Sequence, residues 1–121
     1  MKKPKIRSFH DLIVWQRAVD FSVTIYKTTE QFPSGERYGL TSQLQRAAVS
    51  IPSNIAEGQA RNTKASFANH VNIAIGSAAE VETQLTIAHK IGYLTKDEHN
   101  CLLEELTEIT RMMYGLLRSL R

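Results

Sequence analysis

The sequence holds a single cysteine, Cys101, which excludes an intrachain disulfide framework and any zinc or iron–sulfur site built from several cysteines. A reducing, cytoplasmic setting is the simplest one for such a chain. Six glycines and three prolines in 121 residues cannot supply the turn about every 8–12 residues that an all-β sandwich or barrel requires. No apolar run approaches the roughly 20 residues of a membrane span. Behind the basic N-terminus, the apolar stretch from Leu12 to Trp15 is too short for the core of a secretory signal. Neither export through a signal peptide nor membrane embedding is expected.

Charge of one sign is also scarce once the chain is divided. Fifteen basic and twelve acidic residues give a net charge of +3, but Lys2, Lys3, Lys5 and Arg7 supply four of the positive charges. Residues 8–121 therefore hold 15 minus 4, or 11, basic and 12 acidic residues, a net of −1. Residues 1–8 read as a flexible basic arm and residues 9–121 as one domain. A chain of this length buries roughly two-thirds of its unfolded surface, enough for a core.

What the sequence does contain is helical periodicity. From Asp11 to about Gln31, two apolar rows, Leu12, Trp15, Val19, Ser22, Tyr26 and Val14, Ala18, Phe21, Ile25, define one wide face. Phe32-Pro33-Ser34-Gly35 ends that helix. A second stripe, Leu40, Leu44, Ala47, Ala48, Ile51 and Ile55, keeps its phase across Pro52, so a kinked helix is expected rather than a break. Asn62 or Thr63 can cap a third helix with the stripe Phe67, Val71, Ala74, Ala78, Val81, Leu85 and Ala88, closed by Gly92. Thr95 and Glu98 form a capping-box pattern before Leu102, Leu106, Ile109, Met113, Leu116 and Leu120. Short connections favour antiparallel neighbours, so the expected fold is all-α: an antiparallel up-down-up-down four-helix bundle.

The usual chemistry of such bundles is missing. A ferritin-like metal site needs Glu-x-x-His pairs, whereas Arg7, Phe67, Thr86 and Lys96 stand three residues before His10, His70, His89 and His99. Cys101 lies among Asp97, Glu98, Glu104, Glu105 and Glu108, an environment that disfavours a thiolate nucleophile, and it reads as a small buried or half-buried side chain. No phosphate-binding glycine loop or nucleophile elbow is present. The expectation is a protein without catalytic residues, metal or cofactor, not an enzyme. Trp15, Tyr26 and Tyr38 are either core anchors or platforms for stacked bases.

A polar stripe, Gln43, Arg46, Ser50, Asn54 and Glu57, follows the second helix, and Ser77, Glu80 and Gln84 form a matching row on the third. In an antiparallel hairpin turning near Arg61, Arg46 lies level with Ser77 or Glu80, and a pairing of Arg46 with Glu80 is expected. The stripes are a solvated face, an internal polar network or a subunit contact.

The segments Ser50-Ile51-Pro52-Ser53-Asn54-Ile55-Ala56-Glu57-Gly58, Val14-Trp15-Gln16, Phe32-Pro33, Tyr38-Gly39-Leu40, Arg46-Ala47-Ala48 and Gly76-Ser77, with Glu80 three positions on, resemble the 23S rRNA intervening-sequence protein family. That family is also called the S23 or four-helix-bundle protein family. The resemblance covers roughly residues 9 to 95, and it implies an antiparallel four-helix bundle assembled into a ring-like homopentamer without established enzymatic activity. One branch of the family engages nucleic acid and a reverse transcriptase. The small and polar positions Ala47, Ala48, Ser50, Asn54, Gly76 and Ser77 are where subunits would approach closely.

Topology adds a functional expectation that net charge conceals. In an up-down-up-down bundle the start of helix one, the turn between helices two and three, and the end of helix four share one end. That end collects Lys2, Lys3, Lys5, Arg7, Arg61, Lys64, Arg118 and Arg121 against Asp11 and Glu57. The sequence thus points to a non-enzymatic oligomeric module that binds RNA, DNA or a nucleic-acid-bound protein through a basic pole. The alternative is a protein-binding assembly scaffold with no direct nucleic-acid contact.

Overall fold

Short caps and turns divide residues 8–121, the part of the chain that the computed structural model describes, into four helices. These are α1 (Ile13–Thr29), α2 (Leu40–Ala60), α3 (Lys64–Lys90) and α4 (Lys96–Ser119). Single 3-10 turns at Phe9–Asp11 and Ser34–Glu36 precede α1 and α2. Thr63, rather than Asn62, caps α3 by accepting the Ser66 N–H, while Asn62 takes the left-handed conformation with φ of 64°. Gly92 at φ 91° closes α3: its N–H reaches the His89 carbonyl, and the Tyr93 N–H reaches Ala88 at 2.9 Å. That pair of bonds is the Schellman pattern, which needs a residue tolerant of positive φ. Thr95 and Glu98 make the reciprocal capping box before α4. Ser8 and Asp11 make another on the first 3-10 turn, so Ser8 belongs with the folded domain rather than the arm.

Each helix packs on its chain neighbours, and α1 also packs on α4, which closes an all-α up-down bundle. The core is one cluster built from the expected stripes, with Phe21, Ile25, Leu44, Ile51, Ile55, Leu85, Ile109 and Met113 fully buried. Each such side chain contributes about 1.5–3 kcal/mol relative to exposure. On α1 the buried face is narrower than the sequence pattern suggests. The row through Val14, Ala18, Phe21 and Ile25 is inside, whereas Tyr26 is 47% exposed. At the end of α4, Leu117 replaces Leu116 as the buried position, because 3.6 residues per turn rotates a heptad stripe off the core.

Pro52 lies inside α2, and the helix runs through it without a break. Proline has no N–H, so the Ala48 carbonyl four residues earlier loses its helical donor. The Ser22 hydroxyl of α1 supplies one, reaching the Ala48 oxygen at 3.1 Å and the Ala18 oxygen at 2.9 Å. Ser22 looks like a gap in an apolar row, yet it is the buried donor that lets proline sit inside a packed helix.

At the end away from the α2–α3 turn, Phe32 packs on the Tyr93 ring at 5.3 Å. The Tyr93 hydroxyl donates to Glu36 at 2.7 Å, tying the α1–α2 connection to the α3–α4 turn. That hydrogen bond, which only the protonated phenol can donate, raises the Tyr93 pKa first, with burial second.

Candidate functional site

The basic end forms because three chain segments meet there. Leu12 before α1, Gln59, Asn62, Thr63, Lys64 and Phe67 around the α2–α3 turn, and Leu116 and Leu120 of α4 line one shallow pocket of about 270 Å³. Arg61 and Lys64 flank that turn, Arg118 lies in the last turn of α4 and Arg121 just beyond it, all exposed. Arg61 pairs with Glu57 at 2.9 Å. Lys64, Arg118 and Arg121 make no ion pair among the described residues. Glu57 also faces the His70 Nε2 at 3.6 Å. Arg61 first, and His70 second, hold the Glu57 carboxyl below its ordinary range. One of the two acids at this end is therefore already matched. Lys2, Lys3, Lys5 and Arg7 lie outside the described residues.

The α2–α3 seam uses the polar stripes in two ways. Ser50 and Ser77 meet across the helices at 2.9 Å, and the Asn54 amide donates to both the Ser50 hydroxyl and carbonyl. Ser50 thus accepts from Asn54 and shares one hydroxyl–hydroxyl bond with Ser77, and this part of the stripe is an internal network. Gln43, Arg46, Ser50, Ser77 and Glu80 line one open groove with Ala47. The expected register is therefore present, but no ion pair joins Arg46 to Glu80 among the described residues. Both side chains are exposed, where water competes for each, and Glu80 instead accepts from Gln84 at 3.5 Å.

Ala47 and Ala48 are buried in this chain's own core, so they cannot offer the close subunit approach expected of them. Gly76 is exposed, with open space where a Cβ would stand. Near the turn, Gly58 brings α2 and α3 together: a Cβ there would lie 2.6 Å from the His70 Cβ and 3.2 Å from the Phe67 ring.

Three aromatic and thiol expectations change in the structure. Tyr38 is 88% exposed, on the connection before α2, with the Arg37 guanidinium 5.5 Å from its ring centre. Tyr26 lines an open apolar groove between α1 and α2 with Val19, Ser22, Val23, Lys27, Val49 and Pro52, a space of about 570 Å³. Neither is a core anchor, because Tyr38 precedes its helix and Tyr26 sits beyond the contact edge of α1. Trp15 packs half-buried against the core, and Cys101 is exposed because the apolar stripe of α4 faces away from it.

Other contacts carry no local signal in the sequence. Arg17 and Glu105 form a forked ion pair joining α1 to α4, with Nη2 to Oε2 at 2.9 Å, which raises the Arg17 pKa. The His89 and His99 rings stack at 4.7 Å across the α3–α4 turn. His89 Nδ1 donates to the Leu94 carbonyl, while the buried His99 Nε2 has no partner among the described residues. Burial first, and His89 second, lower the His99 pKa. No set of three or more His, Cys, Asp or Glu side chains among the described residues is arranged to hold a metal ion. Nor is any helix among them long and apolar enough to cross a membrane.

The bundle and the motif-bearing seam of α2 and α3 coincide with a match to the family model of the 23S rRNA-intervening sequence protein over residues 10–115. The chain belongs to the 23S rRNA-intervening sequence protein family. Its fold is similar to the 1.70 Å crystal structure of a protein of unknown function from the S23 ribosomal protein family of Bacteroides thetaiotaomicron VPI-5482. The TM-score is 0.81 at 24% identity, over 88% of this chain and 96% of the other. No curated protein shows significant sequence similarity to this family member.

Proposed function

We propose that this member of the 23S rRNA-intervening sequence protein family is a non-enzymatic, oligomeric module that binds RNA through the basic end of the bundle. The observation that carries the reading is the meeting of Arg61, Lys64, Arg118 and Arg121 around one turn and one helix end, with Glu57 already engaged by Arg61. DNA or a nucleic-acid-bound protein would use the same charges. Phosphate contacts are individually weak and add up along a polymer, and a ring of subunits repeats them.

The test is RNA and DNA affinity against salt for the intact protein, for a variant lacking residues 2–7, and for one with Arg61, Lys64, Arg118 and Arg121 changed to glutamine. Neutralising all four should lower the log–log salt slope by up to about 3 on a single strand. Equal binding by all three proteins, or none at low salt, overturns the reading.

The same family membership leads us to propose self-association, with a homopentamer as the expected form. The apolar groove of Val19, Val23, Tyr26, Val49 and Pro52 supports it, since this surface is open on one subunit. An odd-numbered ring needs a head-to-tail interface between different patches. A monomer by light scattering at micromolar concentration overturns this part. That groove also favours the second reading, a protein-binding scaffold, which would retain its partner at high salt where RNA would be released.

A further inference from the structure

Three rings gather at the start of the bundle and are not absorbed into its core. Phe9 and His10 stack at 4.2 Å between ring centres and 27° between planes. Trp15 meets Phe9 at 5.1 Å and His10 at 5.2 Å, nearly edge-on to the latter. Phe9 and Trp15 are half-buried against core residues, whereas His10 is exposed. A cluster that served only to seal the helix end would place its rings inside, as Phe21 is placed.

The cluster is also held in position. The Ser8 hydroxyl accepts the His10 N–H and lies 3.0 Å from His10 Nδ1, which fixes the ring. The Gln16 amide donates to the His10 carbonyl at 2.8 Å, locking the 3-10 turn to α1. A preorganised aromatic surface loses little conformational freedom when something stacks on it.

Its neighbourhood is mainly basic: Asp11 of the same turn accepts the Ser8 N–H, and Glu57 is engaged by Arg61. The 3-10 turn packs on α1 and α2, and Leu12, directly after it, shares a pocket with Lys64, Asn62 and Thr63. Arg61, Arg118 and Arg121 lie at this end. A fixed aromatic cluster with an exposed His10 face, beside exposed cations, fits a polyanion that presents flat rings of its own, and every nucleobase offers a face to stack. Duplex RNA keeps its bases inside and offers phosphate and sugar, so it would use the charges without the rings.

We propose that Phe9, His10 and Trp15 form a stacking platform for an unpaired base of single-stranded RNA whose phosphates lie on Lys64 and Arg61. This inference rests on the RNA reading above and specifies the strandedness of its ligand. Trp15 is the only tryptophan, so its emission reports the platform directly. The probes are a short oligoadenylate and an RNA duplex of the same length, titrated at low salt. Binding is measured by anisotropy of labelled RNA alongside Trp15 fluorescence.

The oligoadenylate should quench Trp15 with the same midpoint as binding, and the duplex should bind without quenching. His10→Ala should weaken oligoadenylate binding by at least about fivefold, and His10→Tyr should restore it. Changing Lys64 and Arg61 to glutamine should weaken both probes. His10 is exposed, so His10→Ala should keep the parent melting temperature, which separates loss of stacking from loss of fold. Oligoadenylate binding with unchanged Trp15 emission, or with equal affinity in His10→Ala, overturns the platform and leaves the basic end standing. No binding of either RNA by the intact protein overturns both.

Discussion

Replacing glycine by alanine in a helix normally stabilises it by roughly 0.8–1 kcal/mol, because alanine has less backbone freedom to lose. Gly58→Ala should do the reverse. Its Cβ would stand 2.6 Å from the His70 Cβ, an atom fixed to the backbone of α3 and unable to rotate aside. Carbon atoms pack best at about 3.5–4.0 Å, so α2 and α3 must part by about 1 Å near their turn. Overpacking of that kind costs about 1–3 kcal/mol, more than the propensity gain at most of that range. The expected net loss is about 0–2 kcal/mol, a melting temperature lower by up to about 8 °C for a domain of this size. Gly76→Ala is the internal control, since it lies in α3 with nothing within 4 Å of its added methyl and should stabilise by up to about 1 kcal/mol. Urea unfolding of the three proteins, with a common slope, gives the comparison. If both substitutions move the midpoint in the same direction by similar amounts, the close approach at Gly58 is not real.

Further predictions concern stability. Ser22→Ala leaves the Ala48 carbonyl without its donor and should cost about 1–3 kcal/mol. In a Pro52→Ala background, where residue 52 regains an N–H, the same change should cost at least about 1 kcal/mol less, and a cycle with no coupling contradicts the account. His99 resists protonation when folded, so the unfolded chain binds more protons once pH drops below the ordinary histidine value of 6.5. Its stability contribution is therefore complete above that pH and is lost as pH falls towards the lower folded value, and His99→Gln should flatten melting temperature against pH there. Glu57, held by Arg61, gives stability present above the ordinary carboxyl value of 4.5 and lost as pH falls through its lower folded value, and Glu57→Gln should remove that loss. Arg46→Ala, which breaks no ion pair, should leave the melting temperature within about 2 °C of the parent.

The helices were legible because local chemistry and periodicity agreed. Thr63, Gly92 and the Thr95–Glu98 box mark ends through backbone groups only a few residues away, and the stripes on α2 and α3 occupy the core as spaced. The hairpin register was legible too, since Arg46 shares one groove with Ser77 and Glu80. What spacing does not contain is the width of a contact or the choice of partner at an exposed end. Tyr26 continues an apolar row but falls beyond the edge of α1's contact, and Arg46 reaches the right groove without joining Glu80. Arg17–Glu105 and Tyr93–Glu36 join positions 88 and 57 residues apart, so only the closed bundle reveals them. The Phe9, His10 and Trp15 cluster depends on a 3-10 turn whose three residues carry no periodic signature.

The hydroxyl that reaches from α1 into α2 makes helix formation and helix assembly a single event. A helix can form locally within about a microsecond, but one with a proline in its middle keeps an open carbonyl until a neighbour docks. In this chain that neighbour is the preceding helix, so an α2–α3 hairpin made by itself would be loose at the turn around Ala48 and Pro52. The amides around that turn should then exchange with solvent only when α1 lifts away, giving α1 and the centre of α2 one shared opening energy.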